Sequence, residues 1–171
     1  MSVNYSVLGL IFASMHDDTV AELTKQRTMG SIPFGGRYRL IDFPLSNMVN
    51  SGVPEVGVIT KSNYGSLLDH LGSGREWDLA RKKGGLHLLP PYSQTGGIYK
   101  GRLDALNNVG SFLAHSQAKY VILADCDIVS VVNDYTRMEK KGGSWWGCCP
   151  FHHEKTASFH IEEGKNLYYC F

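Results

Sequence analysis

Residues 8–47 read LGLIFASMHDDTVAELTKQRTMGSIPFGGRYRLIDFPLSN. With Val7, the front of this stretch is an almost unbroken apolar run to Ala13, the pattern of a strand buried on both faces. A polar segment follows to about Gln26. A strand that runs into a phosphate-binding loop calls for glycines, whose bare amides can approach an anion, and for a basic residue. Here those positions hold Ser14, Met15, His16, Asp17 and Asp18.

Outward from that strand, Phe34-Gly35-Gly36-Arg37 reads as a turn. Asp42 to Asn50 reads as a short helix: Asp42 is placed to cap it, Pro44 lies in its first turn, and Gly52 stops it. Leu45, Met48 and Val49 share one of its faces. Val56 to Thr60 is a second core strand and Ser62 to Leu71 a helix. Gly72 to Gly97 is long and irregular, with one strand-like piece, LHLLP (86–90); a loop of that length is usually functional or ordered by a ligand or partner. Arg102 to His115 reads as one helix with Leu103, Leu106, Val109 and Leu113 on a face. Tyr120 to Ala124 is a third core strand that runs into Asp125-Cys126-Asp127. Asn133 to Lys141 is expected to be helical, Ser144 to Pro150 a fourth strand, and Ala157 to Glu162 with Asn166 to Phe171 a hairpin. Strands alternating with helices imply an α/β fold built on a mostly parallel sheet. The sequence stops inside an apolar strand, LYYCF (167–171), so a piece of a longer protein is expected.

The 171 residues suffice for one core, and 43% hydrophobic content argues against disorder. Lys plus Arg (17) nearly balance Asp plus Glu (16), so nothing marks a nucleic-acid or anionic-membrane surface. No run is long enough for a membrane helix, and Met1 to Leu10 lacks a basic signal-peptide start. The cysteines, Cys126, Cys148, Cys149 and Cys170, form no C-x-x-C pair, as expected of reduced thiols in a cytoplasmic protein.

Ligands of open α/β sheets lie beyond the carboxyl ends of the strands. Ser14 to Thr24, Thr60 to Tyr64 and Asp125 to Asp127 fall there. Asp125 and Asp127 could hold a divalent cation against phosphates, since hard cations take carboxylate oxygens; they equally suit helix capping or loop solvation. Gly35 and Gly36 permit backbone beside a phosphate or simply a tight turn. Arg37 and Arg39 could pair with phosphate or serve as surface charge. Trp145-Trp146 reads as core and edge aromatics, and His152-His153 as loop, without companions at metal-ligand spacing.

Taken together these stretches are more specific than any one. IPFGGRYRLIDFPLSNMVNSGVPEVGVITKSNYGSLLDHLGSG (32–74), WDLARKKGGLHLLPPY (77–92), GGIYKGRLDALNN (96–108) and YVILADCDIVSVVNDYTRM (120–138) resemble, in order, the first part of the catalytic domain of the glucose-1-phosphate adenylyltransferase (ADP-glucose pyrophosphorylase) family. The resemblance implies a nucleotide-diphospho-sugar transferase, Rossmann-like domain, of which residues 1–171 would be the N-terminal portion. The rest of that domain and a left-handed β-helix domain would be missing. It also implies, for the family, ADP-glucose and pyrophosphate made from ATP and glucose 1-phosphate with magnesium, in glycogen biosynthesis, by tetramers.

Departures from the family pattern gather at the chemistry. The Gly-Gly-x-Gly-Thr-Arg-Leu loop is replaced by residues 14–20, with all three glycines and the arginine gone. The lysine of Arg-Ala-Lys-Pro-Ala is Met29. Gly-Thr-Ala-Asp-Ala becomes Gly101-Arg102-Leu103-Asp104-Ala105, with Arg102 and Leu103 larger than what they replace. The catalytic, metal-binding aspartate of Gly-Asp-His falls on Cys126, leaving Asp125 and Asp127 as the candidate catalytic and metal residues. By resemblance Tyr99 would contact glucose 1-phosphate, and Gly101, Asp104, Gly35, Gly36 and Arg39 would line the substrate site. Site loss on a kept scaffold resembles the D-type regulatory subunit of Gram-positive bacteria, partner of a catalytic subunit in a hetero-tetramer, with no magnesium needed. The alternatives are an active adenylyltransferase using Mg2+, or a module that binds ATP, ADP-glucose or glucose 1-phosphate without turnover. An exposed strand edge after Phe171 would favour self-association.

Overall fold

The apolar run at Val7 becomes an inner strand of a parallel sheet in the computed structural model, which describes residues 6–15, 17–91, 99, 101–133, 135–149, 153, 155–162 and 167–169. In chain order the elements are β1 (Val7–Phe12), α1 (Ala21–Thr24), β2 (Pro33–Phe34), β3 (Tyr38–Arg39), α2 (Asp42–Asn50), β4 (Glu55–Ile59), α3 (Gly65–Leu71) and β5 (Gly85–Leu89). They continue with α4 (Arg102–Asn108), α5 (Gly110–His115), β6 (Tyr120–Asp125), α6 (Ile128–Asn133), β7 (Glu139–Lys141), β8 (Ser144–Gly147), β9 (Phe159–Glu162) and β10 (Leu167–Tyr169). Strands β5, β4, β1 and β6 lie side by side in that order, all parallel, with Leu10 of β1 opposite Gly57 and Leu123.

Both faces of β1 are covered, which is why it reads as continuous rather than alternating hydrophobicity. Ile11 and Ala13 join Val56, Val58, Met29, Leu40, Ile41, Leu45 and Leu67 on one side. Leu10 and Phe12 join Ile59, Ala105 and Val109 on the other. Glycine lets α2 approach β1 closely: a Cβ on Gly9 would lie 2.3 Å from the Met48 sulfur. A three-residue turn, Gly35-Gly36-Arg37, joins β2 to β3, with Gly35 and Gly36 at φ of 60° and 86°, a backbone that glycine adopts without strain. Phe43 of α2 then packs edge-on to Phe34 and Tyr38 of this hairpin, at 5.5 and 5.9 Å between centroids.

Several elements differ from the sequence reading. LHLLP is a full strand, β5, at the edge of the parallel sheet, and the irregular stretch before it holds a 3-10 turn at Arg75–Trp77. The helix expected over 102–115 is two, α4 and α5, meeting at Val109 before Gly110. Its buried face runs through Ala105, Leu106, Val109, Phe112 and Leu113, while Leu103 is 82% exposed. The helix expected over 133–141 lies earlier, as α6; Glu139–Lys141 instead forms a hairpin with β8 because Gly142, at φ 63°, turns the chain. The expected fourth strand therefore belongs not to the parallel sheet but to an antiparallel one, ordered β10-β9-β8-β7, in which β9 and β10 pair as the expected hairpin. The strand at Tyr120 does pair with β1, yet it is the outer one, with Tyr120 67% and Leu123 51% exposed, so it is not a core strand among the described residues. Cys126 and Cys149 are buried, and no disulfide forms among the described cysteines. Among the described residues no helix is long and apolar enough to cross a membrane.

Candidate functional site

Parallel pairing puts the carboxyl ends of β1, β4, β5 and β6 along one edge, and the segments that follow β1, β4 and β6 meet there. The loop after β1 is closed by its own side chains. Ser14 is buried and its Oγ accepts the Lys61 N–H at 2.7 Å, which ties this loop to the end of β4. Asp17 Oδ1 accepts the Met29 N–H at 2.8 Å, and Thr24 Oγ1 donates to the Asp17 carbonyl, also at 2.8 Å. A carboxylate of the chain thus takes a backbone amide of the kind that phosphate loops offer to their ligand. Gly30 keeps the return path tight, donating its N–H to the Ala13 carbonyl at 2.8 Å. His16 lies outside the described residues.

Asp125 ends β6 opposite Phe12, and its carboxylate forms an ion pair with the Arg102 guanidinium at the start of α4. Cys126, the next residue, projects to the other side and is buried with Ala13, Met29 and Leu45, as successive residues of an extended chain must. Burial pushes its thiol well above the ordinary range, and the carboxylates of Asp125, Asp127, Asp42 and Asp17 push it further the same way. A protonated thiol is not a metal ligand. Among the described residues no group of three or more His, Cys, Asp or Glu side chains is gathered to hold a metal ion. This donor set does not fit a magnesium ion.

Tyr99 is buried beneath α4 with Phe12, Ile59 and Ala105. Its hydroxyl has no hydrogen-bond partner among the described residues. Burial and then the Asp104 carboxylate raise its phenol above the ordinary value, which places Asp104 within electrostatic reach. Gly101 caps α4 in an extended conformation, φ 178°, with nothing among the described residues within 4 Å of an added Cβ. Arg102 and Asp125 are thus brought together and, with Phe12, Leu123 and Ala124, line a cleft of about 240 Å³, while Tyr99 lies within electrostatic reach of Asp104.

Arg39 is held by neighbouring polar groups, and the two glycines turn the hairpin. Arg39 Nη1 donates to Ser66 Oγ at 3.0 Å and to the Ser66 carbonyl at 2.5 Å. The Arg39 N–H donates to Asp42 Oδ2 at 2.9 Å, so the Asp42 carboxylate turns back toward the hairpin rather than capping α2. Its other oxygen meets His70 Nε2 at 2.5 Å, and His70 in turn packs edge-on to Trp77. Sequence reasoning missed the Asp17–Met29 and Asp42–His70 contacts and the Arg102–Asp125 pair, because each joins residues that no local spacing rule connects. The enlarged side chain at 102 was visible, but not its destination.

The sequence and the solved structures of other proteins place this geometry among relatives. A family model described as nucleotidyl transferase matches residues 18–142. A second model, described as a CHC2 zinc finger, matches residues 115–171. Over that range Cys148 and Cys149 are adjacent, Cys170 lies outside the described residues, and the described side chains assemble no metal-binding group. A glucose-1-phosphate adenylyltransferase of Clostridium botulinum is 38% identical over 156 residues, 90% of this chain and 38% of its own length. A glycogen biosynthesis protein GlgD of Bacillus subtilis is 53% identical over 87 residues, 51% of this chain and 25% of its own. The chain thus spans well under half the length of these curated relatives. The crystal structure of a protein described as a candidate glucose-1-phosphate thymidylyltransferase of Bacillus anthracis superposes with a TM-score of 0.54 at 18% identity, over 78% of this chain and 46% of that one.

Proposed function

The chain belongs to the nucleotidyl transferase family, and we propose that within it the chain is the N-terminal part of a non-catalytic, regulatory subunit of an ADP-glucose-forming enzyme of glycogen synthesis. The observation that carries this reading is Cys126. At the end of β6, where the resemblance puts a metal-binding aspartate, stands a buried thiol held in its protonated form by burial and four carboxylates. A neutral thiol facing the core supplies no ligand for a cation and no charge for phosphoryl transfer. The loop after β1 supports the same reading, since Asp17 already accepts the amide of Met29 and adds negative charge where a triphosphate would need relief from it.

Such a subunit acts by preferring one state of a catalytic partner, which shifts that partner's substrate affinity. The test is to add the natural polypeptide that carries this sequence to a homologous catalytic subunit and follow ADP-glucose formation. A changed maximal rate or half-saturating substrate concentration, with both chains co-eluting, supports the reading. Unchanged kinetics and separate elution refute it.

One observation favours a second reading, binding of a sugar phosphate without turnover: the buried Tyr99 hydroxyl, which lacks a partner among the described residues, beside Gly101, which no described neighbour requires to be glycine. A buried phenol usually finds a partner. Saturable binding of glucose 1-phosphate in equilibrium dialysis, weakened by Tyr99→Phe and needing no other subunit, would favour this reading over the first.

A further inference from the structure

The cleft at the end of β6 combines an acidic strand terminus with a cation belonging to the chain itself. Asp125 is nearly buried, its side chain 10% exposed, and Arg102 reaches it from the first residue of α4 with a side chain 57% exposed. Phe12, Leu123 and Ala124 complete the walls. The arginine is poorly placed for its helix, because the first turn of a helix disfavours positive charge. Its position is explained by the carboxylate across the cleft, not by α4.

We propose that Arg102 is a resident cation that occupies the carboxylate at the end of β6, and so keeps a divalent metal from Asp125. The guanidinium pairs with Asp125 Oδ2 and places its positive charge beside the carboxylate, while Asp125 Oδ1 is buried without a hydrogen-bond partner among the described residues. Entry of a hard cation beside Asp125 would require the guanidinium to leave, or would put two cations in one cleft of about 240 Å³. Cys126 cannot compensate, since it lies on the other face in the core. Asp17 does the reciprocal service at the loop after β1, where a carboxylate of the chain takes the amide of Met29. This inference deepens the reading proposed above and rests on it for the choice of site. Metal binding is read without turnover or a partner subunit, so each can fail while the other stands.

The experiment is Mn2+ titration followed by the electron paramagnetic resonance signal of the free aquo ion. The natural polypeptide is compared with Arg102→Thr, Arg102→Lys, Arg102→Gln and the double variant Arg102→Thr with Asp125→Asn, each checked by circular dichroism and thermal melting. The parent and Arg102→Lys are expected to leave the Mn2+ signal as in buffer. Arg102→Thr is expected to bind Mn2+ about tenfold more tightly or better, the order expected when one cation beside a shielded carboxylate is removed. Asp125→Asn should cancel that gain. Arg102→Gln carries the same expectation should Arg102→Thr fail to fold. A folded neutral variant that binds no more Mn2+ than the parent overturns the proposal. So does a parent that binds Mn2+ through Asp125 with Arg102 in place.

Discussion

Cys126 follows the last residue of β6 and faces the core, with the carboxylates of Asp125, Asp127, Asp42 and Asp17 close enough to oppose its ionisation. Two consequences are measurable. In the native protein at pH 8 the thiol should resist iodoacetamide, and become reactive only on unfolding, because the thiolate is the nucleophile. The linkage has a definite sign. The folded-state pKa lies well above the unfolded value of 9.0, so above pH 9 the unfolded chain releases a proton that the folded chain keeps. Stability contributed by this group is full below that pH and falls as pH rises, by up to about 1.4 kcal/mol per unit. Urea melts of the parent and Cys126→Ala between pH 8 and pH 10 should show a shallower loss in the variant; parallel curves would mean the thiol ionises freely. That aspartates surround a cysteine here was legible in Asp125-Cys126-Asp127. That Asp42 and Asp17 join them was not, since chain folding alone brings them near.

Glycine positions separate two kinds of constraint at the level of elements. Gly84 leads into β5 at φ +78°, and a Cβ there would lie 2.6 Å from the Pro54 carbonyl oxygen. Gly36 turns the β2–β3 hairpin at φ +86° with nothing within 4 Å of an added Cβ. Gly84→Ala should therefore cost about 2–4 kcal/mol, combining left-handed strain with a backbone clash, whereas Gly36→Ala should cost about 1 kcal/mol from strain alone. Equal losses in chemical denaturation would contradict the assigned difference. The parallel core was legible because β1 and β4 are buried on both faces and carry continuous apolar runs. The second sheet was not: Glu139–Lys141 is short, charged and exposed, so its pattern carries no strand signal until β8 pairs with it. The break of the 102–115 helix at Val109 likewise leaves no mark beyond Gly110, a residue that helices tolerate at modest cost.

Taken whole, the described residues form a parallel sheet, an antiparallel sheet and a small hairpin, and β6, an outer strand of the parallel sheet, exposes apolar side chains. Tyr120, Val121, Ile122 and Leu123 are each more than two-fifths exposed, and exposed apolar edge strands pair with other chains. The 171-residue chain is expected to associate at high concentration, and Leu123→Lys to suppress this; sedimentation velocity showing a clean monomer for the parent would contradict it. Fold class was readable from strand–helix alternation, and the loops beyond the carboxyl ends of the parallel strands could be named from where those strands stop. The state of the site was only half readable: the missing glycines and the cysteine stand in the sequence, but the internal ions, Asp17 on the Met29 amide and Arg102 on Asp125, emerge only when distant segments meet. The most direct measurement of whether this edge of the sheet has lost its chemistry is pyrophosphate release by the natural polypeptide alone, with magnesium, ATP and glucose 1-phosphate. No release above the protein-free blank is expected. Steady release that disappears when Asp125 and Asp127 are both replaced by Asn would contradict the proposal and make the strand-end aspartates catalytic.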